Sequence, residues 1–151
     1  VPFGYTLQDW LGASRNMYDR LVHFSFGLLL AYPVRELFLR IAKVKGIWGY
    51  YLPLDLTLSL SALYEIIEWV TAITAAPEAG LAFLGTQGDV WDAQKDMALA
   101  GTGALTAMII VALINLRYQK DFLREMKESL RIRSGDEPLG EVKLKKMIKK
   151  Q

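Results

Sequence analysis

Apolar residues gather into three long runs along the chain, each bounded by charge. The first is centred on Leu21 to Val34, with Asp19 and Arg20 before it and Arg35 and Glu36 after it. That centre is short for a bilayer core, which takes about 20 helical residues. Arg35 lies sixteen positions past Asp19, roughly 24 Å along a helix axis, where a long cationic side chain can snorkel to the opposite interface. The pattern predicts a first span over about 18–41, kinked in its last turn by Pro33. Taken alone, this run also fits a long amphipathic helix of a soluble bundle. The second span is predicted over about 52–76, with Pro53 in its first turn and Pro77, Glu78 and Gly80 ending it. From Leu56 to Ala76 only Glu65 and Glu68 interrupt it. The third, about 97–116, carries no charge, and Ala100, Gly103, Ala104 and Ala107 give it the small-residue face that lets membrane helices pack closely. The expected fold is therefore an all-α, polytopic transmembrane helical bundle with about three spans.

The segments between the runs are polar in different ways. Residues 1–17 mix Pro2, Gly4 and Gly12 with Phe3, Tyr5 and Trp10 and read as an interfacial lead-in. The stretch from Ile41 to Tyr51 is a basic turn, Lys43 and Lys45, followed by Trp48, Tyr50 and Tyr51. Between the second and third spans lies a Gly-rich connection, with Asp89 predicted to cap a short helix. Residues 117–151 form a charged segment, a surface helix over Tyr118 to Ile132 broken at Ser134 to Pro138, then a basic tail. Basic residues follow the first span (Arg40, Lys43, Lys45) and the third (Arg117, Lys120, Arg124), so the positive-inside rule predicts that the loop and the C-terminal segment are cytoplasmic. The start of the first span, the end of the second and the following loop then share the outer face.

Composition adds less. Hydrophobic residues make up 52% of the 151 and mean hydropathy is +0.19, only mildly above a soluble average. The charge distribution says more: from Gly46 to Leu116 the single basic side chain is Lys95. The net charge of +2 averages basic ends with an acidic middle. The chain has no cysteine, which excludes disulfides, thiolate chemistry and cysteine metal sites. Beginning at Val1 instead of Met, it is expected to be a fragment or a processed product, and no signal-peptide pattern is visible.

The chemistry concentrates at the predicted outer end. Asp19 and His23 are four apart on one helix face, and Glu65 and Glu68, three apart, share another. Asp89, Asp92 and Asp96 fall on one face if helical, continuing into Ala100, Gly103 and Ala107. A carboxylate facing lipid costs about 2.5 kcal/mol or more, so Glu65 and Glu68 are expected to point into the bundle, and topology brings the other groups to the same side. Converged without a cation they would repel one another or hold protons; Arg20 and Lys95 are few against them. A divalent metal answers that directly. His23, Glu65, Glu68, Asp92 and Asp96 are the candidate ligands, with Asp19, Tyr64 and Asp89 as supporting or additional groups; mixed carboxylate and imidazole suits Mn, Fe or Zn, and carboxylates alone suit Ca or Mg. Each piece has a plainer reading: a packed histidine, protonated glutamates bonded to neighbouring helices, a capping or solvated aspartate. There is no phosphate-binding loop, nucleophile elbow or zinc-protease motif, and Ser25 lies two residues from His23 and so faces away from it.

Four strings, Val1-Pro2-Phe3-Gly4, Tyr18 to Phe24, Ser61 to Trp69 and Phe83 to Asp92, resemble the YjdF-like family of bacterial inner-membrane proteins, whose function is not established. The resemblance covers most of Val1 to Leu116 and implies an inner-membrane location and further helices before Val1. A weaker likeness to VanZ-like membrane proteins rests on Asp19, His23-Phe24, Glu68 or Glu65, Asp92 and Asp96. Those proteins are linked to resistance against cell-wall-directed glycopeptides, which implies an envelope role. Two functions stay open. One is a metal-dependent enzyme acting on a lipid or envelope intermediate, with a metal-activated water as nucleophile. The other is a non-enzymatic accessory or ion- or proton-binding protein. Membrane lipid is the expected partner, with other membrane proteins or a second copy of the chain, and no nucleic acid.

Overall fold

A computed structural model describes residues 6, 8–10, 12, 17–75, 91–131 and 146–149. Three long helices run up, down and up: α1 (Tyr18–Arg40), α2 (Trp48–Ala75) and α3 (Asp92–Tyr118), followed by the short α4 (Phe122–Glu128). The described residues contain no strand. All three long helices have the length and apolarity to cross a membrane. At 1.5 Å per residue even α1, with 23 residues, reaches about 35 Å.

The distribution of side chains is inverted relative to a soluble bundle. The buried positions are small or polar: Ala31, Thr57, Ser61, Ala72, Asp96, Ala100, Ala104 and Ala107. The large apolar side chains, among them Leu29, Leu63, Ile66, Ile109, Leu113 and Ile114, are exposed along the helices. In water such a surface would aggregate; in lipid it is the solvated face. The exposed threonines fit the same solvent. Thr71, Thr74, Thr102 and Thr106 each donate to the carbonyl four residues back, at 2.7–2.8 Å, so no hydroxyl is left needing water.

The inward stripes repeat every three or four residues. In α1 the stripe is Asp19, His23, Gly27 and Ala31; in α2 it is Gly49, Pro53, Thr57 and Ser61; in α3 it is Asp96, Ala100, Gly103, Ala104 and Ala107. α1 and α3 make the closest contact. A Cβ added at Gly27 would fall on the Ala100 carbonyl and 2.9 Å from the Ala104 nitrogen. A Cβ at Gly103 would fall on the Phe24 carbonyl oxygen and 2.8 Å from the Leu28 nitrogen. The two backbones therefore touch, and glycine is required on both sides. Beyond them Ala31, Ala104, Ala107 and Met108 form the apolar core, with Leu28, Tyr50, Leu54 and Val111 packed around it.

Helix ends depart from the apolar runs in informative ways. α2 begins at Trp48, ahead of the expected 52, so Pro53 sits in its second turn. The proline ring crowds the carbonyl four residues back, which here belongs to the side-chain-free Gly49. α1 continues through Pro33 to Arg40, so Pro33 lies inside the helix and not in its last turn. α3 starts at Asp92, five residues before its uncharged stretch, because Asp92 and Asp96 face protein. Residues 119–121 break the charged segment, so α4 is a separate helix and not a continuation to Ile132. The segment 76–90, with Pro77 and Asp89, lies outside the described residues, as do most of the lead-in and the basic tail.

α4 fastens the α1–α2 loop. The Gly46 N–H donates to Glu125 Oε1 (3.2 Å), the Ile47 N–H to Ser129 Oγ (3.0 Å) and the Trp48 indole to the Ser129 carbonyl (3.1 Å). Gly46 has φ +56°, and a Cβ there would strike the Ser129 side chain. The loop and α4 thus share one end of the bundle, and the start of α1 meets α2 and α3 at the other.

The glycine contacts give a graded prediction. Gly27→Ala and Gly103→Ala should each destabilise the detergent-solubilised protein by roughly 1–3 kcal/mol, because backbone must move. Gly101→Ala should cost far less, since its new Cβ meets the flexible end of Leu58. Equal thermal midpoints for all three variants would contradict the backbone contact.

Candidate functional site

The first turns of α1 and α3 lie together, and α1 meets the middle of α2 there, at Ser61, Tyr64 and Glu65. The i, i+4 spacing of Asp19 and His23 continues the stripe that Gly27 presses onto α3, so both side chains are carried inward. His23 is 4% exposed. Its Nδ1 lies 3.3 Å from Ser61 Oγ, and its Nε2 lies 3.2 Å from Glu65 Oε1 and 3.8 Å from Asp19 Oδ1. Ser61 and Glu65 are one helical turn apart on α2, and they hold the two ring nitrogens from one side. In the neutral tautomer with Nδ1 accepting from the serine hydroxyl, Nε2 carries the proton and stands close to Glu65, whose Oε1 has no hydrogen-bond partner among the described residues. Tyr64 packs its ring edge-on to His23, with centroids 5.7 Å apart.

The second grouping joins α1 and α3. Asp19, Asp92 and Asp96 each present one carboxylate oxygen, and the three oxygens lie within 4.8 Å of one another. Oxygen ligands at 2.0–2.6 Å from a hard cation are at most about 4–5 Å apart, so the spacing fits one coordination sphere. Asp96 is the buried member, 1% exposed, while Asp19 and Asp92 are partly open. Arg20 donates from Nη2 to Asp92 Oδ1 at 3.3 Å, an ion pair between α1 and α3. Glu68 is half-buried, one helical turn from Tyr64 and within electrostatic reach of Asp19 and Asp92.

The structure thus sorts the predicted residues into two adjoining sets. Asp92 and Asp96 are brought together with Asp19, which the sequence had marked as a supporting group. His23 pairs with Glu65, with Tyr64 and Glu68 beside it. Asp89 lies outside the described residues. Sequence reasoning did not identify Ser61 as a partner of His23, although its place one turn before Glu65 was the available signal. It also counted Arg20 only as a nearby charge, since a bond between residues 20 and 92 has no local signature.

A cleft of about 360 Å³ opens next to His23 and Ser61, between α1 and α2. Apart from those two, its lining is Val22, Phe26, Leu60, Leu63, Tyr64 and Ile67. The buried imidazole therefore adjoins an apolar groove on the surface that meets lipid.

Comparison with known proteins matches this architecture to a family. The family described as "Predicted membrane protein (DUF2238)" matches residues 1–117, which include both sets and all three long helices. The inner membrane protein YjdF of Escherichia coli (strain K12) is 45% identical over 123 residues, covering 81% of this chain and 58% of that protein. The chain therefore spans less than two thirds of the length of this relative. No solved structure matches it. The likeness to VanZ-like proteins is not shown by these comparisons and carries no further argument. With the match running through every long helix and every described polar residue at this end, the chain belongs to the DUF2238 family and is an integral membrane protein similar to YjdF.

Proposed function

We propose that the chain binds a divalent cation through Asp19, Asp92 and Asp96 and acts there on a lipid or lipid-linked envelope intermediate. The observation that carries the reading is the approach of three carboxylate oxygens, from two helices, to within 4.8 Å, with the buried Asp96 among them. The donor set is all oxygen, which favours Mg, Mn or Ca over Zn. A bound cation supplies Lewis acidity next to His23, which lies 3.8 Å from Asp19 and also lines the cleft. Beside it the His23–Glu65 pair provides a proton carrier whose ring is held by Ser61, and Glu68 provides a further carboxylate. The cleft suits an acyl or isoprenoid chain, with His23, Ser61 and Tyr64 as its polar members. The activity of the longer relatives is part of this proposal, since the chain spans 58% of one of them.

A second reading has its own support. Arg20 compensates Asp92, and His23 compensates Glu65 when protonated. On that reading the groups neutralise one another and hold the helices in register, and the protein is a non-enzymatic accessory component.

Elemental analysis of the detergent-purified protein separates the two. The expected result is about one Mg, Mn or Ca ion per chain, falling by about tenfold in Asp96→Asn and in Asp19→Asn while Glu36→Gln retains it. Folded wild type that stays metal-free after supplementation would remove the cation reading. Activity has a separate readout. Incubation with bacterial polar lipid extract should alter one lipid class, by mass spectrometry, and both chelation and Glu65→Gln should abolish the change. A stability loss on chelation with every lipid unaltered would favour the accessory reading.

The orientation we propose places the α1–α2 loop and α4 in the cytoplasm, supported by their basic residues. The absence of cysteine makes this simple to measure. A single Lys43→Cys should resist a membrane-impermeant thiol reagent in intact cells and react after lysis, whereas Gln94→Cys should react in intact spheroplasts. The reverse pattern would invert the topology.

A further inference from the structure

A second polar centre lies at the opposite end of the bundle, and the acidic site makes no use of it. Arg35 enters from α1, Tyr50 from α2 and Asn115 from α3; Leu39, Gly46, Gln119, Phe122, Glu125 and Met126 complete the walls of a cavity of about 270 Å³. Arg35 is held in place without being satisfied. Its side chain is 11% exposed, its guanidinium carbon lies 4.7 Å from the centre of the Tyr50 ring, and Nη2 donates to the Tyr50 hydroxyl at 3.3 Å. Its nearest carboxylate contact is Glu36, at 3.9 Å. Nε is buried, and among the described residues it has no hydrogen-bond acceptor.

The neighbours add donors where acceptors would be expected. Asn115 Nδ2 donates to the Tyr50 hydroxyl at 2.7 Å, so that oxygen accepts from both Arg35 and Asn115 and keeps its own proton to donate. Glu125, the one carboxylate lining the cavity, is occupied: Oε1 accepts from the Gly46 N–H and Oε2 from the Gln119 amide, at 3.2 and 3.0 Å. A guanidinium with one buried N–H unmatched and a phenol O–H thus stand in the wall of a polar cavity. A buried donor of this kind costs free energy until an acceptor meets it, and a guanidinium favours an anionic oxygen. The surrounding field has the same sign. Residues 35–55 and 117–131, which build this end, contain nine basic side chains against five acidic ones.

We infer that the Arg35–Tyr50–Asn115 cavity is a binding site for a phosphate group, with the Arg35 guanidinium and the Tyr50 hydroxyl as its donors. The group belongs either to a phospholipid headgroup, since the cavity lies at the end of the membrane-spanning helices, or to a small soluble phosphate. The site is separate from the acidic end and does not depend on a metal there.

The test is thermal stabilisation of the detergent-purified protein titrated with inorganic phosphate, and separately with short-chain phosphatidylglycerol, with short-chain diacylglycerol as the phosphate-free control. Stabilisation by phosphatidylglycerol alone identifies a lipid headgroup; stabilisation by both identifies the phosphate group itself. In either case Arg35→Gln should weaken the apparent affinity by about tenfold or more, and Tyr50→Phe, which keeps the ring beneath Arg35, by severalfold. Arg124→Gln, an exposed cation at the same end, should leave it unchanged. If Arg35→Gln does not fold, Tyr50→Phe carries the test alone. Wild type unaffected by both phosphate probes, equal stabilisation by diacylglycerol, or undiminished binding in Tyr50→Phe would overturn the site.

Discussion

The contact between α1 and α3 at Gly27 and Gly103 sets the geometry of the rest. In lipid the apolar side chains gain little from meeting one another in place of acyl chains, so association rests on dispersion and on polar bonds that short separations permit. Two glycines let the backbones touch at the Ala100 and Phe24 carbonyls. That contact fixes the distance and register of the two helices. Two to three turns toward one end, it brings Asp19 and Arg20 to Asp92 and Asp96; toward the other, it leaves Arg35 facing Tyr50 and Asn115. A one-residue slip would move each pairing by about 1.5 Å along the axis and by about 100° around it.

Both ends follow the same construction with opposite charge. The inward stripes of α1 and α3 have small residues at mid-helix and polar residues toward the ends. Burial of the polar groups is tolerable because each meets a partner on another helix: His23 with Ser61 and Glu65, Arg20 with Asp92, Arg35 and Asn115 with Tyr50. The difference lies in the surplus. One end has more carboxylates than the described cations balance, and the other has more donors than acceptors. Attraction for a cation at the first and for an anion at the second follows from the same accounting of buried polar groups.

α4 contributes to only one of these ends. By accepting the N–H groups of Gly46 and Ile47 it orders the loop that starts α2, and through Phe122 it packs edge-on against Tyr50, with centroids 6.1 Å apart. Tyr50 is thereby turned into the bundle, whereas its neighbours Trp48 and Tyr51 stay exposed at the level of an interface. The aromatic cluster of the loop therefore divides between anchoring and site-building, although the three rings look equivalent in the string.

The sequence by itself determined the solvent, the number of described spans and the faces. Runs of about 20 apolar residues must be helical in lipid, and a charge within such a run must be turned from it, so the pattern turns Glu65 and Glu68 inward, and helical spacing puts Asp92 and Asp96 on the small-residue face of the third span. Spacing along one helix likewise placed Asp19 on the face of His23. Tertiary structure alone decided which group meets which. That depends on the crossing of α1 and α3 and on rotamers, to which periodicity is blind. So it was the fold that assigned Glu65 to His23, joined Asp19 to the two aspartates of α3, and paired Arg20 across 72 residues. The Arg35 cavity was hidden for the same reason: an arginine at a helix end reads as a snorkelling anchor until Tyr50, Asn115 and α4 close around it.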